Sequence, residues 1–161
     1  MVANDLLFPS KESGVEAEKG MPHAYKARLT LFKAGGREEK MERKEHGYIL
    51  TTLVSNLEKT FLISPESKPL DGQLRILHFG LLSGEKAMGI MMKAYEGGKH
   101  AESEEVVYEE VEGVRVDFEE QGEGWKWRRC CVDGLIVGVE EGGWMEVRRN
   151  VGEGVNVVVD F

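Results

Sequence analysis

The chain has 161 residues, 41% of them hydrophobic and 31% charged, and acids outnumber bases to leave a formal net charge of −8. That length suits a single domain around one core and leaves no room for two catalytic lobes. The acidic balance, crowded at Glu102, Glu104, Glu105, Glu109, Glu110 and Glu112, argues against a phosphate-backbone partner, so nucleic acid is not expected.

No apolar run approaches the roughly 20 residues that a bilayer-spanning helix needs. Met1 to Pro9 lacks the basic start and long apolar centre of a signal peptide, so a soluble, cytoplasmic chain is expected. Cys130 and Cys131 are sequence neighbours, which disfavours a disulfide between them, and alone they cannot complete a zinc site. They read as two small, partly buried residues on a strand, and no metal centre is expected.

In chain order, residues 1–26 mix Lys, Glu, Ser and Gly and read as a flexible tail, with one domain following over 27–161. Ala27 to Lys33 is a candidate strand with Leu29 and Leu31 on one face, and Ala34 to His46 reads as a long polar loop. Tyr48 to Val54 is rich in β-branched and aromatic residues and should be a buried strand. Phe61 to Ile63 is a short apolar run, Ser64 to Gly72 carries turn chemistry, and Leu74 to Phe79 is a strand.

One helix is expected, over 83–96, where Met88, Met91, Met92 and Tyr95 recur at helical spacing and share a face. Ser83 suits its N-cap and Gly97-Gly98 its stop. Beyond it the period becomes two: Val114, Val116 and Phe118 alternate with charged residues, and Trp125 and Trp127 flank Lys126. Further strands are expected at Cys130–Val132, Leu135–Val139, Met145–Arg148 and Val155–Asp160, cornered by Asp133-Gly134, Glu141-Gly142-Gly143 and Gly152-Glu153-Gly154. Short strands with regular glycine punctuation predict a mainly β protein, an antiparallel β-sandwich with one amphipathic helix.

Side-chain catalysis needs a nucleophile or base, an orienting partner and a pocket. His23, His46, His78 and His100 fall in no metal-protease pattern, no serine-nucleophile elbow is present, and Gly84-Glu85-Lys86 lacks the rest of a phosphate-binding loop. No catalytic residue is assigned. The basic clusters Arg37 to Lys44, Lys126 with Arg128 and Arg129, and Arg148 with Arg149 read as solvated edges or turns. The methionine stripe can fill an irregular core or accept a hydrocarbon tail, since the thioether is flexible and polarisable. Trp125 and Trp127 read as core or rim of a sheet, with a lipid-surface role as the alternative.

Three segments, in order, carry a resemblance. Ser64-Pro65-Glu66-Ser67-Lys68-Pro69-Leu70-Asp71-Gly72-Gln73-Leu74 resembles the proline-and-Asp-Gly segment of diacylglycerol and sphingosine kinases. The Met-rich helix ending in Gly97-Gly98-Lys99-His100 is similar to the helix and G-x-H element of sphingosine kinases, and Cys131-Val132-Asp133-Gly134 to their late V-DG-E turn. The set spans Gly47 to Arg149 and looks most like fungal long-chain-base kinase-like proteins.

The resemblance implies the lipid-holding C-terminal lobe of a two-lobe kinase that transfers phosphate from ATP with Mg2+ to a sphingoid base or related lipid. An N-terminal lobe, in cis or in trans, carries a G-G-D-G motif that nothing in this chain matches. Carried across, Met88, Met91, Met92, Tyr95 and His100 would line the lipid tail, and Asp133 and Gly134 would face the nucleotide. Leu135 stands where the family has glutamate. The implied chain does not turn over by itself, and its partners are the lipid, the missing lobe and a membrane surface at the cell's cytoplasmic side. The rival expectation is a stand-alone β-sandwich module that binds a lipid or a protein without catalysis.

Overall fold

The structure, a computed structural model, describes residues 22–122, 124–150 and 154–159. Most of the tail expected over 1–26 and the corner at Gly152-Glu153 lie outside the described residues. The first strands are β1 (Tyr25–Lys33), β2 (Arg37–Lys40), β3 (Glu45–His46), β4 (Tyr48–Thr52), β5 (Asn56–Glu58), β6 (Phe61–Leu62) and β7 (Leu74–Phe79). Helix α1 (Gly84–Met92) follows, and then β8 (Val106–Val111), β9 (Gly113–Phe118), β10 (Arg129–Val132), β11 (Leu135–Gly138), β12 (Trp144–Asn150) and β13 (Gly154–Val159). The chain is mainly β, its pairings are antiparallel, and it carries one α-helix, as the spacing of its glycines and apolar residues predicts.

Two sheets form the body. The larger has the order β13-β12-β9-β1-β2, with β3 also on β1, and the smaller has the order β4-β7-β8. Ala27, Leu29 and Leu31 of β1, Val114, Val116 and Phe118 of β9 and Val147 of β12 form one cluster with Leu74 and Ile76 of β7 and Val111 of β8. This is face-to-face sheet packing driven by removal of aliphatic surface from water. The other side of the smaller sheet, through Leu77 and Phe79, packs on Ile63, Val106 and the helix residues Ala87 and Ile90.

The molecule is therefore layered as large sheet, small sheet and helix, and β7 is covered on both faces. All six of its residues are buried, which explains why Leu74-Arg75-Ile76-Leu77-His78-Phe79 reads as an almost unbroken apolar run rather than an alternating one. Its one cation is compensated: Arg75 lies 3.4 Å from Asp71 and 3.5 Å from Glu110.

Three local expectations are corrected and one further strand is found. The polar stretch from Ala34 to His46 is not a loop: after a turn at Ala34–Gly36, β2 pairs with β1 from Lys33↔Arg37 to Thr30↔Lys40, although all four of its side chains are exposed. Backbone pairing alone holds a strand with no apolar face. β8 runs through the glutamate-rich stretch, where Glu109 pairs with Lys33 and Glu110 with Arg75. Trp125–Trp127 is a single 3-10 turn rather than an alternating strand, closed by Arg128 N donating to Trp125 O at 2.9 Å. Finally, β1 begins at Tyr25, so the last two positions assigned to the tail are sheet.

Candidate functional site

Helix α1 is the element on which the expected lipid site rests. Ser83 caps it, its Oγ accepting from Lys86 N at 3.3 Å, and Glu85 sits in the positive first turn. The α-helix is shorter than expected, ending at Met92 and tightening into a 3-10 turn over Lys93–Glu96. Gly97 and Gly98 follow at φ 77° and 81°, a left-handed pair. A side chain at Gly98 would put its Cβ 2.9 Å from Pro65 Cβ, so this glycine allows the close approach of the helix exit to the segment after β6.

The buried side of the helix is Ala87, Ile90 and Ala94, with Met91 half-buried beside them. The expected face is rotated by about one residue: Met88, Met92 and Tyr95 are 39%, 52% and 46% exposed. The reason is steric. Two alanines let the helix axis approach the sheet, which three long side chains on that face would prevent. The helix thus carries two apolar sides, one seated on Leu77 and Phe79 and one open to solvent.

On the open side, the Tyr95 ring meets Phe61 edge-on at 4.8 Å and its hydroxyl donates to the Glu58 carboxylate. That hydrogen bond, more than burial, raises the Tyr95 pKa. The β5–β6 hairpin so held also exposes Leu57. His100 does not join this face. It is fully buried on the 3-10 turn Lys99–Glu102, its Nε2–H donating to Ile63 O at 3.0 Å, and burial lowers its pKa. It pins the helix exit to the chain after β6.

Asp133 and Gly134 form the two-residue corner between β10 and β11, at φ 47° and 88°. Two successive positive φ values match a type I′ hairpin turn, a sufficient reason for Asp-Gly at this point. Both residues and Leu135 are exposed. Among the described residues no three His, Cys, Asp or Glu side chains converge as a metal-ligand set. The turn itself offers one carboxylate, Asp133, and no metal-ligand set surrounds it among the described residues.

Sequence reasoning passed over two polar centres. His46 and His78 are both fully buried between the sheets, with rings 6.2 Å apart. His46 Nε2–H donates to Ala27 O at 3.2 Å, whereas neither His78 nitrogen has a hydrogen-bond partner among the described residues. Burial first, and then the Arg43 charge, pushes the His78 pKa down to about 4. Beside them an open groove of about 580 Å³ runs between Glu42–Glu45 and Gly80–Leu82, with Glu105 on its rim.

The second centre is Glu120, which is 1% exposed. Its Oε1 accepts from Lys26 N at 3.1 Å and lies 3.0 Å from His23 Nε2, and the His23 ring stacks on Trp127 at 3.6 Å. No spacing rule links residues 97 positions apart, so only the strand pairing of β1 with β9 brings them together.

Comparison with known proteins adds no assignment: no protein-family model matches the chain, and no curated protein matches it.

Proposed function

We propose that this chain is a lipid-facing lobe of the sphingoid-base or diacylglycerol kinase type, and that the outer face of α1 receives the hydrocarbon tail. One observation supports the reading: Met88, Met92 and Tyr95 stand together on a helix that is already seated through its opposite side. Ordinary core packing does not account for a second apolar side. Methionine suits a disordered tail because its side chain adapts to shape, and each buried CH₂ is worth about 0.8 kcal/mol.

The face is one open wall, so the opposite wall comes from a second lobe that also supplies ATP and Mg2+ binding. Phosphoryl transfer to the lipid hydroxyl then takes place between the lobes, and this chain orients the substrate without touching the phosphate. Asp133-Gly134 serves as a hairpin corner in this reading, and His100 as an anchor beneath the site. As a stand-alone module, the rival reading, the chain would bind lipid on the same face with no partner lobe.

The test is binding of a fluorescent long-chain base to the wild type and to Met88→Asp/Met92→Asp. The variant should keep its circular dichroism and thermal midpoint, because both side chains are exposed, and lose binding by tenfold or more, about 1.4 kcal/mol. Equal affinity in the folded variant, or no binding by the wild type, would remove the lipid reading.

A further inference from the structure

The β10–β11 hairpin belongs to neither main sheet. Its base is fixed. Val139 N donates to Arg128 O at 2.7 Å, the buried Arg128 returns its Nε–H to Val139 O at 3.2 Å, and Trp127 is clamped under His23. On the inner face of the hairpin, Cys130 packs against the aliphatic cluster.

Toward the turn this anchoring stops. Leu135 projects from the inner face and is 67% exposed, and Ile136, paired with Cys131 on the outer face, is 40% exposed. Both faces of the tip therefore stand clear of the body. Trp125, 60% exposed, lies along the outer side, with Gly138 beneath its ring. Cations accompany these apolar groups: Arg129 lies 5.7 Å from the Trp125 ring and Lys126 4.9 Å from the Trp127 ring.

We propose that this hairpin is a membrane-docking element, inserting Leu135, Ile136 and Trp125 at the headgroup level of a bilayer that carries anionic lipid. The chemistry fits that occupant. Tryptophan partitions to the water–lipid boundary, aliphatic tip residues reach just beneath it, and Lys and Arg meet lipid phosphates. In a chain of net charge −8, the segment 125–138 turns two bases toward solvent, Lys126 and Arg129, against one acid, Asp133, while its third base, Arg128, is buried at the hairpin base. Surface charge there is thus opposite to that of the whole, as docking to an anionic surface demands.

A protein partner is disfavoured by size. Three apolar side chains on a hairpin whose turn is Asp133-Gly134 offer far less than the ~800 Å² per side that a stable protein interface buries. A bilayer needs no shape complement and accepts a small wedge. The inference does not depend on the lipid-lobe reading: that site is the face of α1, and this one is the hairpin.

The experiment is vesicle co-sedimentation of the full chain with phosphatidylcholine vesicles with and without phosphatidylserine. The wild type should sediment with the anionic vesicles, release as salt rises, and show a blue shift of tryptophan emission. Leu135→Ser/Ile136→Ser should weaken binding at least tenfold with unchanged circular dichroism, and Trp125→Ser should act likewise through an independent position. Met88→Asp/Met92→Asp should bind vesicles as the wild type does, which separates failure of this inference from failure of the lipid-lobe reading. Absence of wild-type sedimentation, or tip variants that bind equally, overturns the proposal, as does self-association without lipid that the tip variants abolish.

Discussion

The two hydrophobic layers on either side of β7 are built differently. Between the sheets, Leu29, Leu31, Leu74 and Ile76 are at most 1% exposed and pack against valines of neighbouring strands. Between the small sheet and the helix, Ala87 and Ile90 of a nine-residue helix, together with Ile63, meet aromatic rings such as Phe79 and Tyr48. The first layer sets the fold, and the second is a thinner attachment that leaves one side of its helix free. In this protein the least constrained layer presents the candidate site, because a helix held by few groups can keep apolar side chains for a ligand.

Truncation of one side chain in each layer measures the contrast. Ile76→Ala should cost about 4 kcal/mol, since two sheets cannot collapse into the cavity, and Ile90→Ala about 3 kcal/mol, since the helix can shift toward its sheet. Urea titrations of both variants provide the check, and a larger loss for Ile90 would reverse the ranking of the layers. Within the helix layer, Gly98→Ala introduces a left-handed alanine whose Cβ would overlap Pro65, and should lower stability by about 2 kcal/mol.

The smallest effect appears through pH. His78, His46 and His100 all have folded pKa values below the ordinary 6.5, with burial as the leading cause. The neutral forms are therefore favoured in the native state. Their contribution is complete above pH 6.5 and declines as acid protonates the unfolded chain first, down to about pH 4 for His78. Stability should fall by about 1 kcal/mol between pH 7 and pH 5. His78→Gln should flatten that slope, and an unchanged slope would place the titration elsewhere.

Much of this organisation can be read along the chain, for reasons that differ by element. β7 is found residue for residue because burial on both faces writes itself as a mostly apolar run, interrupted by Arg75 and His78. Ser83 and Gly97 mark the helical region because capping is local chemistry. The phase of α1 is misread because hydrophobicity weighs methionine above alanine, whereas the approach of a helix to a sheet rewards the smaller residue. β2 is missed because all four of its residues are charged and its strand character comes from pairing with β1, whereas β8, Val-Val-Tyr-Glu-Glu-Val, is missed because two glutamates break its alternation inside an acidic stretch. The sequence groups Met88, Met91, Met92 and Tyr95 on one face, of which the structure leaves Met88, Met92 and Tyr95 exposed and Met91 half-buried. Glu120 with His23, and His46 with His78, depend wholly on tertiary pairing.

β2 has a consequence for the protein's behaviour at high concentration. Its Arg37, Glu38, Glu39 and Lys40 stand exposed along the margin of the large sheet, where unpaired amides and carbonyls could template another chain. An incoming strand would have to bring its own backbone against a mixed row of fixed charges. Charged side chains thereby disfavour pairing of a further strand along that margin, a role for a strand that adds nothing to the interior.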